Sequence, residues 1–158
     1  MKQSESNADG ESIDYICIAA ITTDNLADGP GVRTCVYCQG CDLHCKGCHN
    51  QHLWEPNGGT SMNINELTNK LLHLSSNRKI TITGGEPLFQ KVAVAKLCKE
   101  LYNNGFHIVF YTGHDETEVP QEIMTHIHCL KSGYFDYKQK TTTIPFVGST
   151  NQQFRQIK

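Results

Sequence analysis

The spacing of hydrophobic residues predicts two strands near the start of the chain. Residues 13–22, IDYICIAAIT, form a mostly apolar run rich in isoleucine, which is typical of a buried strand. Residues 32–39, VRTCVYCQ, alternate between two sets of side chains, with Arg, Cys, Tyr and Gln at the odd positions. This period of two predicts a second strand, and a DGPG turn at residues 28–31 separates it from the first.

From Asn63 onward, the hydrophobic pattern changes to that of helices. Asn63 is a typical helix N-cap with Glu66 three residues later, and a hydrophobic face follows at Ile64, Leu67, Leu71 and Leu74. A second helical face ends before Gly105, a typical C-terminal cap, and consists of Val94, Leu97, Cys98 and Leu101. A weaker helix is predicted at residues 119–127.

Short strands are predicted between and after these helices, at residues 79–83, 106–112 and 129–131. Helix and strand therefore alternate from residue 63 to residue 131, which is typical of βα units on a parallel sheet. Functional loops of such sheets lie at the carboxyl ends of the strands. Three loops follow predicted strands, and we expect them to meet at that edge: residues 40–50, 84–87 and 112–113. The remainder of the chain is rich in loop signals.

The overall composition is that of a globular enzyme and argues against several other classes of protein. The 158 residues predict a single domain at residues 13–158, preceded by a polar, flexible tail at residues 1–12. With 14 basic and 16 acidic residues the net charge is −2, so no nucleic-acid partner is expected. No segment approaches 18 consecutive apolar residues and the N-terminus lacks the apolar core of a signal peptide, so we expect neither a membrane span nor export.

Three closely spaced cysteines are the strongest chemical signal. A chain that is not exported lies in the reducing cytoplasm, where cysteines bind metals or fill the core instead of forming disulfides. Cys41, Cys45 and Cys48 lie within GCDLHCKGCHN at residues 40–50, so their thiolates can surround one small inorganic core. Thiolates are the ligands of iron–sulfur clusters and of zinc. A cubane [4Fe-4S] cluster held by three thiolates keeps one iron open to a non-protein ligand.

Cys38, three residues before Cys41, leaves alternatives open. All four cysteines are candidate ligands of a zinc site, although only three residues separate the two CxxC pairs. They are also candidate ligands of a closed electron-transfer cluster. We favour a third interpretation, in which Cys38 packs as a small hydrophobic residue, as do the cysteines without a close partner in sequence: Cys17, Cys35, Cys98 and Cys129.

Two motifs in order resemble those of radical S-adenosylmethionine (SAM) enzymes. Cys41-x3-Cys45-x2-Cys48 resembles their cluster motif, and GGEP at residues 84–87 resembles their methionine-binding loop. Further segments across residues 13–157 narrow the resemblance to activating proteins of anaerobic ribonucleoside-triphosphate reductase, a family of small glycyl-radical activases. These segments are DGPGVRT at 28–34, QGC at 39–41, KGCHNQHLW at 46–54, TITGGEPLFQ at 81–90, YTG at 111–113, LKSGYF at 130–135 and GSTNQQ at 148–153. Most radical SAM proteins have an aromatic residue at the position of Gly47, whereas this family shares the glycine.

The resemblance implies a fold and a reaction. The expected fold is an α/β, incomplete (β/α) barrel of the radical SAM type with parallel strands, since the usual eight-unit barrel needs roughly 250 residues. Cys41, Cys45 and Cys48 would bind a [4Fe-4S] cluster, whose open iron would bind the amino and carboxylate groups of SAM. One electron from a cytosolic donor such as flavodoxin would cleave SAM to methionine and a 5′-deoxyadenosyl radical. That radical would abstract hydrogen from a glycine of the large reductase subunit.

The resemblance also implies which residues bind SAM. The residues expected to bind SAM are the third ligand with its neighbours and residues of the later strand-end loops: Gly47, Cys48, His49, Asn50, Gly84, Gly85, Glu86 and Thr112. The glycines have no Cβ, so the backbone would approach the ligand closely, and Glu86 would add a negative charge near its ammonium group. Residues 112–113 and Lys131 are candidates to reach the adenosine, although the default interpretation of Lys131 is an exposed lysine. Trp54 is expected to pack against the cluster loop.

Three other functions remain open on the sequence alone. The first is an enzyme with the same radical chemistry that activates a different glycyl radical enzyme. The second is a ferredoxin-like electron carrier with Cys38 as the fourth cluster ligand. The third is a structural zinc module that acts as a binding protein.

Overall fold

Seven strands and three α-helices make up the described part of the chain. The computed structural model describes residues 13–158, so the predicted tail at residues 1–12 lies outside the described residues. The strands are β1 Tyr15–Asn25, β2 Arg33–Cys38, β3 Thr60–Asn63, β4 Lys79–Gly84, β5 His107–Tyr111, β6 Cys129–Ser132 and β7 Gln153–Gln156. The helices are α1 Ile64–Leu74, α2 Lys91–Asn103 and α3 Gln121–Met124. No helix in the part of the chain that the structure describes is long and apolar enough to cross a membrane.

The strands form one sheet in the order β3-β1-β2-β4-β5-β6-β7. The four central strands, β2, β4, β5 and β6, are parallel, and each parallel pair lies side by side in the sheet. The predicted incomplete barrel with parallel strands is therefore confirmed at its centre. The outer strands differ, because β1 pairs antiparallel with β2 and with β3, and β7 pairs antiparallel with β6.

Local signals predicted the long helices well because the caps form as expected. The Asn63 side chain accepts hydrogen bonds from the backbone N–H groups of Asn65 and Glu66, which begins α1. Gly105, at φ +81°, follows α2, and the N–H of Phe106 returns to the carbonyl of Leu101 at 3.1 Å.

Three short elements differ from the prediction. The helix predicted at residues 119–127 is confined to α3, because Val119 and Pro120 are extended and proline defines its start. The edge strands β3 and β7 were not predicted from the sequence. Neither contains a fully buried residue, so neither shows the alternating apolar pattern of a strand.

The helices cover one face of the sheet and form the main core. Residues of alternate strand positions, including Val36, Ile82 and Phe110, pack there against helix residues such as Leu67 and Leu97. The other face presents the intervening positions, and at its end Val109, Tyr111 and Cys129 pack with Phe146 and Phe154. The two faces of β2 predicted from its alternation are thus confirmed.

Arg33 ties three parallel strands together at their amino-terminal ends. Its side chain is buried, and it donates to the hydroxyl of Thr81 at 2.9 Å and to the carbonyl oxygens of Ile80 and His107, both at 2.7 Å. His107 in turn stacks on His128, with ring centroids 4.6 Å apart. This polar cluster lies at the edge of the sheet opposite the carboxyl ends of the same strands.

Candidate functional site

The three predicted loops meet around one cavity of about 640 Å³ at the carboxyl edge of the parallel strands. Nine of the ten predicted site residues line it: Cys41, Cys45, Cys48, His49, Asn50, Gly84, Gly85, Glu86 and Thr112. The tenth, Gly47, does not line the cavity; a Cβ there would collide with the ring of Tyr137. Gly47, at φ +75°, therefore allows the cysteine loop to turn and pack against Tyr137.

The cysteine loop is a series of tight turns that directs its three thiols to the cavity. The N–H of Cys48 donates to the carbonyl of Cys45 at 3.1 Å, and the N–H of Asn50 donates to the Cys48 sulfur at 3.3 Å. Cys45 is buried, whereas Cys41 and Cys48 are half-buried. Burial raises the pKa of the Cys41 and Cys45 thiols, so a bound cationic centre is what would favour their thiolate forms.

The arrangement of these thiols fits a cluster of several irons. Each thiolate of a cubane cluster binds a different iron, so its ligands lie farther apart than the ligands of a single ion. Here three thiols from one loop line a shared cavity, and thiolates are the usual ligands of such a cluster.

Gly84 and Gly85 bring the second loop against the end of β2. The N–H of Gly85 donates to the carbonyl of Cys38, and the N–H of Glu86 donates to the carbonyl of Gly40, both at 2.9 Å. A Cβ at Gly84 would overlap the backbone of Cys38, and one at Gly85 would overlap the carbonyl of Gly40. The structure therefore gives these glycines a reason other than the predicted approach to a ligand: they permit contact between two protein backbones.

Asn50 connects the cysteine loop with the glycine loop. Its side-chain amide donates to the carbonyl of Gly84 at 3.4 Å, and the residue also lines the cavity. His49, its neighbour, is exposed. The position of Asn50 joins two segments that are 34 residues apart in sequence.

Glu86 holds the loops together with both carboxylate oxygens. Oε1 accepts hydrogen bonds from the N–H of Leu88 at 2.9 Å and the hydroxyl of Thr112 at 2.8 Å. Oε2 accepts from the N–H of Gly113 at 2.7 Å. Burial raises the pKa of Glu86, while these donors and His114 act in the opposite direction. The carboxylate thus accepts three hydrogen bonds from the protein, and its negative charge beside the ammonium group of SAM stays a prediction.

Thr112 has its hydroxyl fully used in this network. The hydroxyl donates to Glu86 and accepts from the N–H of His114 at 3.0 Å. A Cβ at the following Gly113 would collide with Leu43 of the cysteine loop. The end of β5 therefore packs directly on the cysteine loop, and Thr112 supports Glu86.

Cys38 faces away from the cavity. Its side chain is fully buried in the core beneath the helices, which also contains Cys98, and burial raises its pKa to about 12. Cys35, Cys98 and Cys129 are buried as well, whereas Cys17 is half-buried. These positions agree with the interpretation of Cys38 as a core residue.

Trp54 packs against the cysteine loop, as predicted. Its ring stacks on the imidazole of His44, with centroids 4.4 Å apart and planes 15° apart. Trp54 also lines the cavity. His44 has φ +48°, a left-handed conformation that turns the chain between Cys41 and Cys45.

Two parts of the cavity wall were not predicted. Asp28 and Tyr111 come from the helix-free side of the sheet, and residues 142–148 come from the loop-rich end of the chain. The hydroxyl of Tyr111 is buried without a hydrogen-bond partner among the described residues. Tyr111 has an odd number in its strand, and strand alternation could therefore have placed its side chain on this face. Residues 142–148 contain no sequence pattern that predicts a position at the cavity.

The GSTNQQ segment supports this last wall. The Gln152 side chain accepts from the N–H groups of Gly148 and Ser149, at 2.8 and 3.2 Å, and donates to the carbonyl of Gly133 at 2.8 Å. The hydroxyl of buried Ser149 accepts from the N–H of Asp136 at 3.1 Å. The segment therefore links the loop after β6 to the wall of the cavity.

Solved and curated proteins resemble this chain in fold and sequence. The crystal structure of QueE from Escherichia coli, a radical SAM fold, superposes with a TM-score of 0.53 over 63% of this chain and 53% of QueE, at 21% sequence identity. The pyruvate formate-lyase-activating enzyme of Clostridium pasteurianum is 38% identical over 117 residues, which cover 69% of this chain and 48% of that enzyme. That of Staphylococcus epidermidis is 38% identical over 94 residues, covering 56% of this chain and 38% of the enzyme. This chain thus spans about half or less of the length of these relatives.

The family comparison identifies the cluster. The model of the 4Fe-4S single cluster domain matches residues 27–155, a span that contains the cysteine loop and every other predicted site residue. Together with the radical SAM relatives, this match confirms the predicted cofactors, a [4Fe-4S] cluster and SAM. The homologues are pyruvate formate-lyase-activating enzymes, and the chain itself belongs to the family of 4Fe-4S single cluster domains.

Proposed function

We propose that this protein is a radical SAM activase that generates the glycyl radical of a partner enzyme. The observation that carries the proposal is the convergence of the three-cysteine loop and the glycine loop on one cavity at the carboxyl edge of a parallel sheet. The similarity to pyruvate formate-lyase-activating enzymes supports it.

In this proposal Cys41, Cys45 and Cys48 hold the [4Fe-4S] cluster. When bound, the cluster would supply the one-electron chemistry for reductive cleavage of SAM, on which hydrogen removal from the substrate glycine depends. The protein binds and orients the reactants and excludes water from them. Cys38 takes no part, because its side chain lies in the opposite core.

SAM would occupy the remainder of the cavity. A volume of about 640 Å³ lies within the usual range of small-molecule sites, roughly 300–1,000 Å³. His49, Asn50 and the backbone of residues 84–86 would contact it directly. Glu86 and Thr112 would act mainly by holding the loops in place, since their polar atoms already bond to each other. Gly47 would shape the cysteine loop.

The proposed partner is the large subunit of anaerobic ribonucleoside-triphosphate reductase, which would present a glycine loop. Segments along the whole chain support this choice, from DGPGVRT at residues 28–34 to GSTNQQ at 148–153. Exposed Leu26 and Ile144 lie at or beside the cavity wall, where an entering polypeptide would cover them. A flavodoxin-type protein would donate the electron, and the reaction would take place in the cytoplasm.

Pyruvate formate-lyase is the second candidate partner, because the relatives named above activate that enzyme. The two candidates are separated by incubating the reduced protein and SAM with each purified partner under anaerobic conditions. We expect a glycyl radical signal in electron paramagnetic resonance with the reductase alone. A signal with pyruvate formate-lyase alone would reassign the partner, and failure to cleave SAM would refute the proposed activity.

Paired cysteine variants test the cluster assignment. Cys48→Ala should lose the cluster and SAM cleavage, whereas Cys38→Ala should keep both, because Cys48 lines the cavity and Cys38 does not. Iron and sulfide content with the absorption near 400 nm measures assembly. Loss of the cluster in Cys38→Ala at unchanged folding would instead favour a four-cysteine electron carrier.

A further inference from the structure

We propose that Lys131 is a built-in counter-charge of the iron–sulfur cluster and raises its reduction potential. The inference rests on the proposed cluster ligands and goes beyond them, since it assigns an electrostatic task to a residue outside the cysteine loop. On the sequence alone Lys131 is by default an exposed lysine, with contact to the adenosine as the alternative.

Lys131 lines the cavity from near the carboxyl end of β6, the strand next to the sheet edge. It lies on β6 directly beside Tyr111 of β5, and its ammonium group is 5.0 Å from the centroid of the Tyr111 ring. Both side chains line the cavity. Among the cavity-lining residues of the described chain, Lys131 is the only lysine or arginine.

The ammonium group of Lys131 has no anionic partner of its own. Within residues 13–158, no carboxylate lies within 4.0 Å of it, and no hydrogen bond to a protein acceptor is formed. Nearby Asp28 accepts from Asn25 and Tyr37, while Glu86 is held by its three donors. A partly buried cation without a close counter-ion is costly, so an anion bound in the cavity would stabilise it.

The loaded cysteine loop supplies that anion. Burial lowers the pKa of Lys131, and the opposing influences come from Asp28, Glu86, Cys45 and Cys48. Two proposed cluster ligands are therefore among its electrostatic neighbours. A [4Fe-4S] core of charge 2+ with three thiolates carries a net charge of −1, which becomes −2 when the cluster accepts one electron. No bond forms or breaks in that step, and the electron comes from an external one-electron donor.

A fixed positive charge beside the cluster stabilises the more negative, reduced form. Potentials of iron–sulfur clusters respond to local net charge and to solvent exposure. Removing the charge of Lys131 should therefore make reduction harder. The effect should exceed that of an exposed lysine on the cysteine loop itself, because water screens an exposed charge.

The experiment is an anaerobic redox titration of the cluster-loaded protein without SAM, followed by electron paramagnetic resonance. In Lys131→Met and Lys131→Gln we expect the ratio of reduced to oxidised cluster at a fixed potential to fall about tenfold, which is ~59 mV for a one-electron couple. Lys131→Arg should stay close to the wild type. Lys46→Met is the matched control, because exposed Lys46 lies between two cluster ligands in sequence, and it should shift the ratio much less.

The outcomes separate this inference from the proposed function. Wild-type potentials in both neutral Lys131 variants, or an equal shift in the Lys46 control, would overturn it. Weakened SAM binding at an unchanged potential would also overturn it and return Lys131 to the SAM site. If the wild-type protein held no cluster at all, the proposed function itself would fail.

Discussion

Gly84 and Gly85 are needed because two backbones meet at the end of β4. At these two positions a methyl group would overlap Cys38 and Gly40, respectively, and the hydrogen bonds from residues 85 and 86 to β2 and its loop depend on that contact. The same loop then supplies Glu86, whose carboxylate reaches the end of β5. Each of these residues therefore acts by fastening the loops that carry the cysteines.

Gly85→Ala should destabilise the protein by about 3 kcal/mol or more and impair cluster assembly, because backbone atoms cannot move aside as a side chain can. Gly105→Ala is the matched control: Gly105 has a positive φ of +81°, but nothing lies within 4 Å of an added Cβ. It should cost only about 1–2 kcal/mol and leave the iron content unchanged. Urea unfolding and iron analysis measure both effects. Equal losses in the two variants would contradict the close-contact explanation.

At the scale of elements, the two ends of the parallel strands have different tasks. Their carboxyl ends carry the cavity, whereas their amino-terminal ends are joined by Arg33 and the stacked pair of His107 and His128. Burial, together with the charges of Arg33, His128 and Lys79, lowers the pKa of His107 to about 4. This end is therefore the one whose stability responds to mild acid.

The titration of His107 predicts a pH dependence of stability. The unfolded chain binds the proton near pH 6.5 and the folded protein only near pH 4, so this contribution is complete above pH 6.5 and is lost as pH falls toward 4. His107→Asn, which keeps an acceptor for Arg33, should flatten the fall in unfolding free energy between pH 6.5 and 5. Anaerobic urea unfolding across that range measures the slope. Exposed His73→Asn serves as the control, and an equal slope change in both variants would contradict the assignment.

The GSTNQQ segment, which leads into β7, holds the cavity wall formed by residues 142–148. Gln152→Ala removes three hydrogen bonds and should destabilise this wall of the cavity by about 1–3 kcal/mol. Amide hydrogen exchange should accelerate most at Gly148 and Ser149, whose N–H groups lose their acceptor. The exposed neighbour, Gln153→Ala, should leave both amides unchanged. Slow exchange of these amides in Gln152→Ala would show that another contact holds the wall.

For the whole molecule, the length of the central strands separates the cofactor cavity from the acid-sensitive side chains Arg33, His107 and His128 at the opposite strand ends. Loading with the cluster and SAM should therefore slow amide exchange in residues 40–50 and 84–86, with little effect near residues 33 and 107. Hydrogen exchange of loaded and cluster-free protein measures this, with Cys48→Ala as a variant that should not respond. Uniform protection across both edges would mean that the cluster stabilises the fold globally.

The sequence by itself determined the features that depend on short-range spacing. Three thiols in eight residues must lie on one loop, and the helical faces that begin after Asn63 and end before Gly105 follow from local periodicity and capping. The placement of three loops at one edge also followed, because parallel strands present their carboxyl ends together.

Only the tertiary structure decided which groups meet across long separations. It directed Cys38 into the helical core, joined Glu86 to Thr112 across 26 residues, and placed Lys131 unpaired beside the cysteine loop. It also showed the antiparallel edge strands β3 and β7, which have no buried apolar pattern from which they could be predicted. The physical reason is that spacing determines which side chains share a face, whereas strand order and register determine what that face contacts.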